Sequence, residues 1–266
     1  MDRIDIDLMR DYMVVKDNRL IQNVQKRRRE LSATDQKVLG FLLAQIKPPI
    51  GETVPRYEYE FDVRLFCRVC GIYEDSGSNY ARVREALERV ASNGFWISDG
   101  DTSLYFQWIH SPKIRKRSGR VSVRISEDVM PYLYGLRGRF TQYGLYQSLA
   151  MKSAYSIALF ELLKSYAYRG SVSFDLCELR QYLNITDKYK AWRDFRREML
   201  EPALAEINAY TDIEASYQAK KTGRAVSALT FVIKQKSVPA SKDAYWRALA
   251  ELDTAGVPGQ LTLFGN

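Results

Sequence analysis

Histidine is almost missing from this chain: His110 is the only one in 266 residues. A rolling-circle nickase needs clustered histidines to hold a metal beside a nucleophilic tyrosine, so that class is excluded. Cysteine is nearly as scarce. Three residues, Cys67, Cys70 and Cys177, do not make a disulfide framework in a chain of this size, and they suit a reducing compartment. Cys67 and Cys70 do form a CxxC, but zinc needs two more ligands at compatible spacing, and Cys177 and His110 are far away in sequence. Two thiols packed into a helix are expected, with no metal and no cofactor. None of the fifteen glycines opens a GxxxxGK[ST] loop, which removes an ATP-driven motor. No apolar run approaches the ~20 residues a spanning helix requires, and MDRIDIDLMR is too acidic for a signal peptide. The expectation is a cytoplasmic protein without a membrane partner. Eighteen tyrosines are present, yet a nucleophile without an identifiable base or metal is no active site, and a non-catalytic role follows.

What is abundant is positive charge. Forty Lys and Arg against thirty-two Asp and Glu leave +8, and 46% hydrophobic residues indicate a globular chain long enough for two domains. That balance favours an anionic partner.

The most legible stretch runs from Ser153 to Gln235. SAYSIALFELLKSY (153 to 166) sets Ile157, Phe160, Leu163 and Tyr166 on one helical face. FDLCELRQYL predicts a second helix ending before Asn184, a residue that tolerates the left-handed conformation of a helix stop. After the turn TDKYK, a third helix, AWRDFRREMLEPALAEIN, carries the stripe Trp192, Phe195, Met199, Ala203 and Ile207. Lys190, Arg193 and Arg197 fall on another face, where a helix lying in a DNA groove needs cations. Two strands, about IEASYQ and AVSALTFVI, close the unit around KKTGR, with Lys220, Lys221 and Arg224 at the tip of a wing. A single charge run is usually a solvated helix face. Here the cations occupy both elements that touch DNA in a winged helix, and the coincidence points to double-stranded DNA.

The first half repeats this order. Residues 1 to 30 read as a lead-in ending in QKRRRE. SATD offers a capping box at Ser32, and the helix DQKVLGFLLAQI runs to the Pro48–Pro49 stop. YEYEFDVRLFCRVCGI predicts a strand and a second helix, and YARVREALERVAS a third that turns Arg82 and Arg89 outward. SLYFQWIH and RVSVRIS then flank SPKIRKRSG, a wing loop with Lys113, Arg115, Lys116 and Arg117. FDVRLFCRVCGI (61 to 72) aligns without gaps on FDLCELRQYLNI (174 to 185), and the chain is therefore an internal duplication. The fold expected is α+β, predominantly helical: two tandem winged-helix domains at 31–135 and 136–236, with a flexible tail at 237–266.

With these residues in view, the chain resembles the iteron-binding plasmid replication initiators, a family built from two winged helices. LSATDQKVLGFLLAQIKP, GRFTQYGLYQSLAMKSAYSIALFELLKSYA and FRREMLEPALAEINAYTDIEASYQAKKTGRAVSALTFVI carry the likeness, over about residues 20 to 235. One departure is Arg196, which falls near the apolar stripe of the third helix and has to snorkel outward. The resemblance implies a protein that binds direct repeats at an origin as a monomer, helps open the adjacent duplex and recruits the host helicase or initiator proteins. It also implies a homodimer, in equilibrium with monomer, that represses its own promoter. The residues alone leave two alternatives, a twin winged-helix transcriptional regulator and a structural DNA-packaging protein; the latter would bind all duplexes alike. In the tail, Gln260, Leu261, Thr262, Leu263 and Phe264 spell QLTLF after GVPG. This resembles the motif by which bacterial replication proteins dock on the sliding clamp.

Overall fold

The computed structural model describes residues 12–22, 24–27, 31–47, 54–70, 78–115 and 117–236. The chain starts with β1 (Met13–Asp17), the one-turn helix α1 (Arg19–Gln22) and β2 (Val24–Arg27). The stretch expected as a lead-in is thus partly built into the fold. β1 lies antiparallel to β8 (Phe140–Gly144), with Met13 opposite Gly144 and Asp17 opposite Phe140. β2 adds to β4 (Phe95–Asp99) and β5 (Thr102–Phe106) in a sheet ordered β2-β4-β5. Both pairings join segments far apart in sequence, which leave no periodic signal of their own.

Helix α2 (Ala33–Leu43) begins at the capping box: the Asp35 amide donates to Ser32 Oγ at 3.2 Å, and the Ser32 amide to Asp35 Oδ2 at 2.9 Å. It ends at Leu43, short of the proline pair. β3 (Glu58–Asp62) leads into α3 (Val63–Val69), where Asp62 caps the Arg64 amide, and α4 (Ser78–Ser92) follows. SLYFQWIH, expected as one strand, is divided. Its first part is β5, paired with β4, and from Ile109 the chain enters β6 (Ile109–Arg115), paired with β7 (Arg120–Ile125). The divide is fixed by Trp108, whose ring stacks on Phe95 with centroids 4.7 Å apart while its carbonyl accepts the Ser126 amide.

In the second half, α5 (Leu145–Ala150) and α6 (Ala154–Tyr166) precede β9 (Ser171–Asp175) and α7 (Leu176–Tyr182). Ser153 caps α6 and Asp175 caps α7, and Asn184 stops the second helix at φ 56°. The third helix is not a uniform α-helix. It consists of α8 (Trp192–Phe195), a π-helical turn (Arg196–Leu200) and α9 (Glu201–Tyr210). Pro202 has no N–H to give the Glu198 carbonyl, and the Glu201 amide reaches back five residues to Arg196 O. The buried stripe accordingly takes in Leu200 and Leu204 beside Phe195, Met199, Ala203 and Ile207. β10 (Ile213–Thr222) and β11 (Ala225–Gln235) turn back at Gly223, φ 62°.

The duplication is visible in the topology. One sheet is ordered β3-β7-β6 and the other β9-β11-β10, so in each the entry strand pairs with the second strand of the wing. Phe61 and Phe174 are equivalent strand residues, each followed by the aspartate that caps the next helix. These are two winged helices. α2 packs on α6, and Gln36 Nε2 donates to Ala154 O across the boundary at 3.1 Å. Glu161 of α6 accepts from Lys16 of β1 and Tyr143 of β8, and Gln22 Nε2 donates to Ser165 Oγ. The β1–β8 pair is thus fastened to α6, which brings residues 13–17 of the expected lead-in onto the half expected to start at 136.

Candidate DNA interface

Helix α7 and the rod from Trp192 to Tyr210 form the helix pair of the second unit, and the buried stripe sets which face the rod leaves to solvent. Arg193 and Arg197 stand on that free face with 78% and 62% of their side chains exposed, and Lys190 is exposed just before it. Each arginine touches a neighbouring carboxylate, Asp194 at 3.5 Å and Glu198 at 2.7 Å. Exposed pairs of this kind contribute about 0–1 kcal/mol, so a phosphate or a guanine edge displaces them at little cost. Arg196 is also exposed, paired with Glu201 at 3.4 Å; the π turn has carried it off the apolar stripe.

The wing of this unit is long. β10 and β11 pair from Ile213 opposite Gln235 to Thr222 opposite Ala225, with a bulge at Lys220–Lys221 that bends the tip. Lys220, Lys221 and Arg224 are exposed there. The cations expected on the helix and on the wing are thus all exposed.

Two contributors were not legible in the sequence. Arg180 of α7 donates to the carbonyls of Lys188, Tyr189 and Lys190 and lies over the Phe195 ring. Lys188 is exposed and donates to Tyr155 OH at 3.1 Å, which places another cation beside Lys190. A residue whose work is to hold main-chain carbonyls carries no sequence signature beyond its charge.

The first unit is less open. Arg82 is exposed on α4, and Lys113, Arg115 and Arg117 are exposed on a short wing whose turn closes when the Gly119 amide donates to Arg115 O at 2.9 Å. Lys116 lies outside the described residues, as do Gln260 to Phe264. Arg89 turns outward only in part, with 40% of its side chain exposed. Its guanidinium binds both carboxylate oxygens of Asp35, the fully buried partner in the capping box of α2. Helical phase puts Arg89 near the edge of the α4 surface, and a buried carboxylate next door draws it in. Cys67 and Cys70 are buried in the core and not joined in a disulfide, and Cys177 is exposed. Among the described residues no group of three or more His, Cys, Asp or Glu could hold a metal ion, and no helix is long and apolar enough to cross a membrane.

Comparison with known proteins agrees with this geometry. The family model described as Initiator Replication protein, WH1, matches residues 13–164, and that described as Initiator Rep protein, WH2, matches residues 175–233. The chain is 29% identical over 172 residues to the PI protein of Escherichia coli, covering 56% of this chain and 55% of that protein. It is 25% identical over 118 residues to an uncharacterized 27.6 kDa protein of Escherichia coli, covering 44% and 49%. The matches span about half the length of these curated relatives. Among solved structures, the crystal structure of Pi initiator protein in complex with iteron DNA superposes with a TM-score of 0.68 at 20% identity, covering 86% of this chain and 99% of that one. At that identity the likeness is one of fold. With the first model alone spanning more than half of its length and the second covering the second winged helix, the chain belongs to the initiator replication protein family.

Proposed function

We propose that this protein initiates plasmid replication by binding direct repeats, iterons, at the origin as a monomer. It then opens the adjacent duplex and recruits host replication proteins, and as a dimer it represses its own gene. The observation that carries the reading is the joint exposure of Lys190, Arg193 and Arg197 before and along the recognition rod and of Lys220, Lys221 and Arg224 on the wing beside it. A rod in the major groove brings Arg193 and Arg197 to base edges, where an arginine donates twice to guanine, while the wing lies along the backbone and neutralises phosphates. That the Pi initiator protein, of similar fold, is solved in complex with iteron DNA supports binding to such repeats. The first unit, with Arg82 and its wing cations Lys113, Arg115 and Arg117, takes the next stretch of duplex, because units in series follow the helix repeat.

The test is binding of the full chain to duplexes carrying the direct repeats that flank its gene, and to scrambled duplexes of the same composition, over a range of salt. An initiator prefers the tandem repeats; equal affinity for both duplexes would leave a packaging protein as the better reading. For the tail, QLTLF supports docking on the host sliding clamp, because a segment with two leucines and a phenylalanine suits an apolar groove on a partner.

A further inference from the structure

We propose that Arg180, a residue turned toward the protein, positions the base-reading face of the second unit. This rests on the initiator reading and names what orients its recognition rod. The guanidinium lies over the Phe195 ring, 4.6 Å from its centroid. From there Nη1 donates to Lys188 O at 3.2 Å, and Nη2 donates to Tyr189 O at 2.8 Å and Lys190 O at 3.4 Å. One planar group thus ties three successive carbonyls of the turn to the first turn of the rod. Tyr189 sits in that turn at φ 51°, a left-handed conformation that an aromatic side chain seldom adopts. Such a residue persists only where its surroundings hold it, and here the holding is done by the Arg180 fork and by the edge of the Tyr155 ring, 6.4 Å away. Lys190 follows directly, and Arg193 leaves from the helical turn whose Phe195 lies beneath the guanidinium. Releasing the fork therefore moves the two cations that enter the groove first and leaves the wing where it is. Lysine cannot replace it, because an ammonium is a point donor without a planar fork.

The experiment uses the full chain as wild type, Arg180→Ala and Arg180→Lys. Wild type selects a consensus from a random-sequence duplex library, and all three proteins are titrated on that consensus and on a scrambled version. Both variants are expected to lose about tenfold on the consensus and little on the scramble, as when a base contact is misplaced with phosphate contacts intact. Hydrogen exchange should accelerate at residues 184 to 191 in both. If Arg180→Ala proves unfolded, Arg180→Lys, which keeps charge and stem, decides. An unchanged ratio of consensus to scramble affinity in Arg180→Lys, or unchanged exchange in the turn, overturns the proposal. A wild-type protein that selects no consensus overturns the initiator reading itself, which separates the two failures.

Discussion

Arg89 donates through Nε to both carboxylate oxygens of Asp35, at 3.0 and 3.1 Å, and Asp35 is fully buried. The same carboxylate closes the capping box by accepting the Ser32 amide, so Arg89 compensates the one charge at the start of α2. Arg89→Ala would strand that charge. Breaking a fully buried pair costs about 3–5 kcal/mol, and the 40% exposure of the Arg89 side chain reduces this to about 2–3 kcal/mol. Chemical denaturation should show that loss, with repeat affinity unchanged below the unfolding transition. Unchanged stability with weakened DNA binding would return Arg89 to the interface.

The rod and the wing should fail differently. Arg193→Ala is expected to cost about 1–3 kcal/mol on repeat DNA and much less on scrambled duplex. Lys220→Ala should weaken both alike and lower the slope of log affinity against log salt by about one. Titrations of both variants on both duplexes across salt check this, and equal losses everywhere would remove the rod from base reading.

Lys37 gives the fold a pH dependence. It sits on α2 with only 2% of its surface exposed, facing Cys70 of its own unit and Glu206 and Lys152 of the other. Burial lowers its pKa from 10.5 to about 7. The folded pKa lies below the unfolded one, so between about pH 7 and 10.5 the unfolded chain binds more protons and stability rises with pH. Below pH 7 the cost of the buried ammonium is present in full. Lys37→Met should therefore stabilise the protein by about 2–4 kcal/mol near pH 6.5, an advantage that shrinks toward pH 10. Denaturation midpoints of both proteins over that range test it, and a constant difference would show that Lys37 does not titrate in the window.

For the tail, Leu263→Ala with Phe264→Ala should abolish capture of the host clamp and impair plasmid replication, with affinity for the repeats unchanged. Wild-type levels of clamp capture by the double variant would make QLTLF a structural appendage.

Local chemistry made much of this protein legible before any coordinates. The capping box at Ser32 is one such feature, because a side-chain oxygen beside a free amide is a contact between near neighbours in sequence. Asn184 and Gly223 take up positive φ for equally local reasons, and the matched Phe–Asp segments disclosed the duplication. The cations of the second unit were legible too, since helical and strand periods decide which side chains a packed element leaves free. Contacts between remote segments were not. β1 found β8, Glu161 drew in Lys16 of β1 and Tyr143 of β8, and Asp35 drew in the Arg89 guanidinium. The π turn ahead of Pro202 was not legible in AWRDFRREMLEPALAEIN, which reads as one continuous helix. Sequence thus determined which elements form and which faces they bury, because those depend on neighbours a few residues away. Which cations stay exposed was decided by the tertiary structure, because a guanidinium goes to the buried carboxylate or carbonyl that folding brings within reach.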